Sequence, residues 1–394
     1  MLEGTGDSPQ FALDHLDPER IRRARERQGL TGKALAEKVG VTPSAVSQFE
    51  AGVVRPDLDT LVRLALALGV PTLYFARRER GLGRYAISFD ACHFRARRSV
   101  SQRTRRASLR MGEDVLDLVN VLEVEGVAFP EERVSSFVAE RAPVREGDFA
   151  AVEEAASALR KHWGLGFGPI PNVVRLLESK GVLVVPLSSA HEDVDAYSTW
   201  ATGRPCVMLA LSKSASRARF DAGHELGHLV LHDDTHPPGL KATEDQANRF
   251  AGAFLAPQEA FYAECPRQWS LAAFLRLKKR WRMSVAALVR RAFDLGRLSQ
   301  SSYRRAFQQL SAMGYRKGEP GEWEHERPQM LTQALTLLEG EVDLRTLSRA
   351  LSLNPSSLRD TLRASVAPEL IERLSPAPDE ARPPIQLVEL RKRG

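Results

Sequence analysis

Residues 224–232 read HELGHLVLH, and no other stretch constrains the chain as strongly. On an α-helix His224 and His228 are i and i+4, so both imidazoles stand on one face, about one turn apart. That spacing suits two ligands of a tetrahedral zinc, with Zn–N distances of about 2.0–2.1 Å. Glu225 lies beside them and can act as general base on a zinc-bound water. His232 falls on the same face, but a helix does not easily bring three successive turns onto one small ion. It reads instead as a helix-end histidine bonded to a carbonyl, and His236 as a loop residue. Gly227 lowers helix propensity and leaves room for a substrate or strand to pass close to the metal.

Such a site needs a third protein ligand and an open fourth position. In TEDQANRFAGAFLAP, Glu244 and Asn248 are again one turn apart. Glu244 is the best third ligand, with Asp245 as the alternative, and Asn248 can orient a ligating histidine through its other ring nitrogen. Tyr197 and Tyr262 can in principle stabilise an oxyanion, but each also reads as a packing aromatic with a wet hydroxyl.

The stretches ALRKHWGLGFGPIPNVVRLLESKGVLV, AYSTW, RPCVMLAL, RARFDAGHELGHLVLH, EDQANRFAGAFLAP and WRMSVAALVRRAFDLGRLSQSSYRRAF span about residues 155–318. Together they resemble the ImmA/IrrE-type zinc metallopeptidases. The resemblance implies a zincin-like α+β domain, zinc on His224, His228 and Glu244, and Glu225 as the base. Gly223 stands where the family usually has Ala, and LALS lacks the Asn often found near the end of the preceding strand.

The N-terminal part carries a second pattern. Asp17 can cap a helix opened by Pro18, with Ile21 and Ala24 inward. From Thr31 to Gly52 two helices are joined by a tight turn. Thr31 caps the first, Leu35, Ala36 and Val39 face inward, and Gly40 takes the left-handed turn position. Val41 packs inward, Thr42 caps the second helix, Pro43 opens it, and Val46 and Phe49 face the core. Ser44, Ala45, Ser47 and Gln48 are left outward. This is the geometry of a helix-turn-helix, whose second helix enters the major groove. Gln can pair bidentately with adenine, and Ser with several base edges. ALAEKVGVTPSAVSQFEAG followed by LDTLVRLALALGV resembles the phage-repressor (Cro/XRE-type) helix-turn-helix family over roughly 60 residues. The resemblance puts base reading on Ser44 and Gln48, the recognition-helix cap on Thr42, and the helix end on Glu50 and Gly52. Gly32 replaces a frequent backbone-contacting Gln and Pro43 a frequent polar residue, so fewer direct base contacts are implied.

These patterns predict a multidomain chain: an all-α helix-turn-helix domain, an α+β zincin-like peptidase domain and a helical C-terminal region. The expected divisions are a leader over 1–16, a DNA-binding domain over 17–80, and a basic linker with connecting helix over 81–150. A peptidase domain over 151–318 and a helical region over 319–394 follow. GVLVVPL and RPCVMLAL read as strands, KGEPGEWEHERP as a break, and LRTLSRALSLNPSSLRDTL as a helix–turn–helix hairpin for helical packing or oligomerisation, with a second DNA reader as the alternative.

The formal charge of +6 favours a polyanionic partner, and 11 Arg against two acids lie between Arg77 and Arg110. HFRARR (93–98) suits either DNA phosphates or an ion-pairing face toward the acidic 111–154 region. Three scattered cysteines form no C-x-x-C pair, so neither a disulfide framework nor a cysteine zinc site is indicated. No signal peptide and no membrane span are read, and a cytoplasmic protein is expected. The expected function is a DNA-binding transcriptional regulator, a homodimer on an operator, whose zinc endopeptidase cleaves a repressor or other regulator. The alternative is a non-catalytic regulator whose peptidase-like domain senses a ligand or partner.

Overall fold

Helix starts in the N-terminal region are set by their caps. The computed structural model describes residues 8–76, 87, 92–96, 101–187, 194–233 and 239–375. The Ser8 side chain caps α1 (Pro9–Asp14), and Asp17 caps α2 (Pro18–Arg27), where Pro18 occupies the first turn. Thr31 accepts from the Ala34 amide at 3.1 Å to start α3 (Gly32–Val39), which ends on left-handed Gly40 (φ 75°). Thr42 accepts from the Ala45 amide at 3.1 Å to start α4 (Pro43–Glu50), and Asp57 starts α5 (Leu58–Leu68). These helices close on Ile21, Leu35, Ala36, Val39, Val46 and Leu61, all buried. Residues 9–16 are not the loose leader expected. Ala12 and Leu16 are buried in the same core, and Leu16 bridges to Ala76. Ala45, expected outward, is half-buried against this core.

After β1 (His93–Ala96) comes α6 (Gln102–Val124). It is more than a connector, because most of its length from Ala107 to Leu122 is buried. Its middle docks on α2 through ion pairs. Arg23 reaches Asp114 at 2.9 Å and Asp117 at 2.7 Å, Arg27 reaches Asp114 at 3.0 Å, and Arg110 reaches Glu26 at 2.9 Å. Burial alone would lower the Arg23 guanidinium, but Asp117, Glu113 and Asp114 hold it well above its usual value. Arg106 and Arg110, at the end of the Arg-rich stretch, are thus paired with Glu26. Residues 77–86 and 97–100 lie outside the described residues.

Next come α7 (Ser135–Ala139), α8 (Phe149–His162), α9 (Val173–Ser179), β2 (Leu183–Leu187), β3 (Val194–Ala201) and β4 (Arg204–Ala210). The sheet order is β1-β3-β4-β2, with β2 parallel to β4 and the other pairs antiparallel. β3 and β4 form a tight hairpin whose turn, Thr202-Gly203, has φ of 44° and 86°. Such a turn matches the twist of the flanking strands. Strand alternation divides the sheet. Leu183, Val185, Tyr197 and Met208 join one core with α6 and the N-terminal helices. Val184, Ala196, Val207 and Leu209 join a second core with α10 (Ala215–Leu231) and α11 (Lys241–Leu255).

The second core continues into α12 (Gln258–Glu264), α13 (Leu271–Trp281), α14 (Val285–Asp294) and α15 (Gln300–Ala312). Segment 317–328, expected as a break, is a strap tied down by acids at helix N-termini. Glu319 accepts from the Val285 amide at 2.7 Å, Glu322 from Ser216 at 2.9 Å and Glu326 from Val173 at 2.6 Å. The final helices are α16 (Met330–Leu337), α17 (Leu344–Leu351), α18 (Pro355–Ser365) and α19 (Pro368–Leu374). They bury Leu335, Leu347, Leu351, Leu358 and Leu362 in the first core. The hairpin at 344–362 thus packs on the first core, and Asn354 also donates to the Gly69 carbonyl at 2.8 Å. Helical N-terminal region, α+β middle and helical C-terminal part are therefore all present, and the first core is continuous between the outer two. Among the described residues no helix is long and apolar enough to cross a membrane.

Candidate metal centre and nucleic-acid interface

α10 starts after the β4 strand and packs beneath the sheet, so its HELGH segment is enclosed on every side. His224 and Glu225 are 0% exposed and His228 is 1%. α11 crosses beside it because Gly227 permits a close approach. A Cβ at Gly227 would stand 3.1 Å from Phe250 and 3.2 Å from the Ala247 Cα. The expected passage for a substrate or strand is thus filled by α11 itself. At Gly223 the nearest neighbour, Leu255, would be 3.4 Å away, so an Ala fits there without displacement.

This crossing brings together the donors predicted from spacing. Ligand atoms of His224, His228 and Glu244 all lie within 4.8 Å of one another. The two Nε2 atoms are 3.0 Å apart, and Glu244 oxygens lie 3.3 Å from His224 Nε2 and 3.5 Å from His228 Nε2. Two ligands of one tetrahedral zinc stand about 3.3 Å apart when each bond is about 2.0–2.1 Å. The donor set therefore fits such an ion. Asp245, the alternative ligand, is exposed and outside the cluster.

The remaining ring atoms are also engaged. Asn248 Oδ1 lies 3.1 Å from His224 Nδ1, the place expected for it. His228 Nδ1 lies 2.9 Å from His232 Nδ1, and His232 Nε2 lies 2.9 Å from Gln246 Oε1. His232 is therefore outside the ligand set, with its ring nitrogens at a ligand and at the side-chain carbonyl of Gln246. Its backbone leaves the helix at φ −119°, ψ 141°. Ser198 on β3 donates to Glu225 Oε2 at 2.7 Å. Sequence spacing offered no signal for Ser198 or Gln246, because each comes from an element whose packing on α10 is a tertiary fact.

Neither tyrosine belongs to the site. Tyr197 points to the opposite face of the sheet, where its hydroxyl donates to the Ser108 carbonyl at 3.0 Å, and burial pushes the phenol well up. Tyr262 is 42% exposed and stacks under the Arg297 guanidinium at 4.5 Å. His236 lies outside the described residues. Beside the donor cluster a cleft of about 660 Å³ runs past Asn248, between Phe220 of α10, Asp245 of α11 and Ala287 of α14.

The other candidate site is α4. Ser44, Ser47 and Gln48 are exposed, and Thr42 is committed to the cap by its hydroxyl. Glu50 clamps Arg25 of α2 at 2.5 and 2.7 Å, fixing α4 against α2. Gly52 takes φ 71° with Pro18 so close that a Cβ would lie 3.1 Å from it.

A family model for an IrrE N-terminal-like domain (Peptidase M78) matches residues 177–293, and a helix-turn-helix model matches residues 21–75. An uncharacterized, SPbeta prophage-derived HTH-type transcriptional regulator of Bacillus subtilis (strain 168), YonR, is 35% identical over 54 residues. That stretch is 14% of this chain and 50% of the relative, so the chain spans about half of the relative's length. The chain thus carries an XRE-type helix-turn-helix domain in its N-terminal part, followed by an IrrE N-terminal-like domain of the Peptidase M78 family.

Proposed function

We propose that the protein is a DNA-binding transcriptional regulator that carries a zinc-dependent endopeptidase acting on a repressor or other regulatory protein. The observation that carries the reading is the convergence of His224, His228 and Glu244 beside the buried Glu225. Zinc held by those three residues supplies a Lewis acid and a water acidified toward hydroxide. Glu225 takes the proton from the attacking water at a carboxylate oxygen, while Ser198 holds the other oxygen by a hydrogen bond. Asn248 holds the His224 ring, and the adjoining cleft accommodates an extended peptide segment.

On the nucleic-acid side Thr42 sets the start of the recognition helix, and Ser44, Ser47 and Gln48 face the major groove of an operator. A homodimer spanning two half-sites accounts for how one short helix achieves specificity, and cytoplasmic location follows from the DNA target. The test compares the proteomes of cells carrying wild-type protein and Glu225→Gln. One regulatory protein is expected to be cleaved in the first and stabilised in the second. Identical proteomes with unchanged regulation would reject the peptidase.

A second reading, a non-catalytic sensor, draws on one observation. β1 of the chain itself pairs with the outer edge of β3 alongside Ser198, where an extended peptide would otherwise add as a strand. Under this reading occupancy of the cleft, not cleavage, changes DNA binding, and Glu225→Gln leaves regulation intact.

A further inference from the structure

Resting on the zinc reading above, we infer that His232 and Gln246 are positioning residues that force His228 into its metal-binding tautomer. The hydrogen-bond directions are read from the far end of the chain inward. Gln246 Nε2 lies 2.9 Å from the backbone carbonyl of Arg145. A carbonyl only accepts, so the amide nitrogen faces Arg145 and Gln246 Oε1 is turned toward His232. That oxygen in turn only accepts, so His232 Nε2, at 2.9 Å, carries a proton. In the neutral ring a proton on Nε2 leaves Nδ1 with its lone pair, so His228 Nδ1, 2.9 Å away, is the donor to it. His228 Nε2 is left with its lone pair aimed at His224 Nε2 and Glu244.

The opposite polarity has a defined cost. Were His232 to donate from Nδ1, His228 would carry its proton on Nε2, in the middle of the donor cluster, and could not bind a cation. Two features hold the relay in place. His232 and Gln246 are 6% and 4% exposed, so bulk water does not substitute for either bond. His232 ends α10 as its cap residue, and its N–H closes the last turn on the His228 carbonyl at 3.0 Å, which sets the ring beside His228. His224 Nδ1 faces Asn248 directly, whereas His228 is oriented by a relay ending on the segment between α7 and α8. The position of that segment therefore bears on the affinity of the site.

The experiment uses the full-length protein, read in two ways. Long-range ¹H–¹⁵N correlation of the imidazoles in zinc-free protein reports tautomers directly. Chelator competition reports zinc affinity. Wild type is expected to show His228 protonated on Nδ1 and His232 on Nε2. His232→Ala is expected to leave His228 a mixture of tautomers and to weaken zinc by about 10–100-fold. His232→Asn, which can accept and donate together, is expected to recover part of that loss. If His232→Ala does not fold, Gln246→Leu carries the same expectation with a fall of about tenfold. An Nε2-protonated His228 in wild type overturns the inference, as does zinc affinity in the folded variants within twofold of wild type. A wild type with the expected tautomers that takes up no zinc instead rejects the zinc reading on which the inference rests.

Discussion

Two helices of this molecule carry its candidate chemistry, α4 and α10, and they are built in opposite ways. On α4 the residues proposed to read DNA, Ser44, Ser47 and Gln48, stand exposed, and what positions them is the scaffold beneath: the Thr42 cap, left-handed Gly40 and the Glu50–Arg25 clamp. On α10 the proposed ligands and base are buried and positioned by side chains from α11, β3 and the helix's own end. An exposed reading surface needs only a rigid scaffold, because its partner completes the hydrogen bonds. A buried polar site must be completed from within, since an unmade bond there costs about 1–3 kcal/mol.

The largest expected difference separates chemistry from architecture. Glu225→Gln keeps a carbonyl oxygen for Ser198 but removes the base, so cleavage falls by about 10²–10⁴-fold while bound zinc is retained. Loss of zinc in that variant, measured by metal analysis, would make Glu225 part of the scaffold.

Glycines sharpen the contrast at smaller cost. Gly227→Ala pushes into Ala247 and Phe250, and an overpacked core of this kind loses about 1–3 kcal/mol in urea unfolding. Because the displaced helix carries Glu244, zinc affinity falls with stability. Stability equal to wild type would show that α10 and α11 separate freely.

Gln48→Ala is expected to weaken operator binding by about 1–3 kcal/mol and leave random-sequence DNA almost unaffected. Equal loss on both, in titrations at matched salt, assigns Gln48 to general contacts. The smallest effect is expected at Gly32→Ala, which meets nothing within 4 Å on α3 and should gain about 0.5 kcal/mol through reduced chain entropy. Destabilisation there would mean that the surface of the reading domain is less open than its packing indicates.

Legibility in the sequence follows the same divide. The N-terminal helices were readable almost residue by residue, because caps, Pro18, Pro43 and Gly40 are local signals whose meaning does not depend on distant chain. The donor set was readable because i, i+4 spacing survives in any helix. β3 was not, since VDAYSTWA is covered on both faces and shows no polar alternation, and Ser198 was hidden with it. The loose leader failed for a related reason. Ala12 and Leu16 are too few to announce a core, yet they complete one made by α5. His232 was legible as a residue that binds no metal, but its partners were not, because Gln246 and Arg145 reach it only through tertiary packing. The acids of the strap look like a solvated break until helix N-termini are placed opposite them.

The central claim is that His224, His228 and Glu244 form one zinc site in a chain that also reads DNA. Metal content of the purified full-length protein tests it most directly, with native mass spectrometry to count ions per chain. The account predicts about one zinc per chain in wild type and its loss in His224→Ala, whose helical content stays unchanged. A wild type that stays metal-free after exposure to zinc, or a His224→Ala variant that retains a full equivalent, would contradict it.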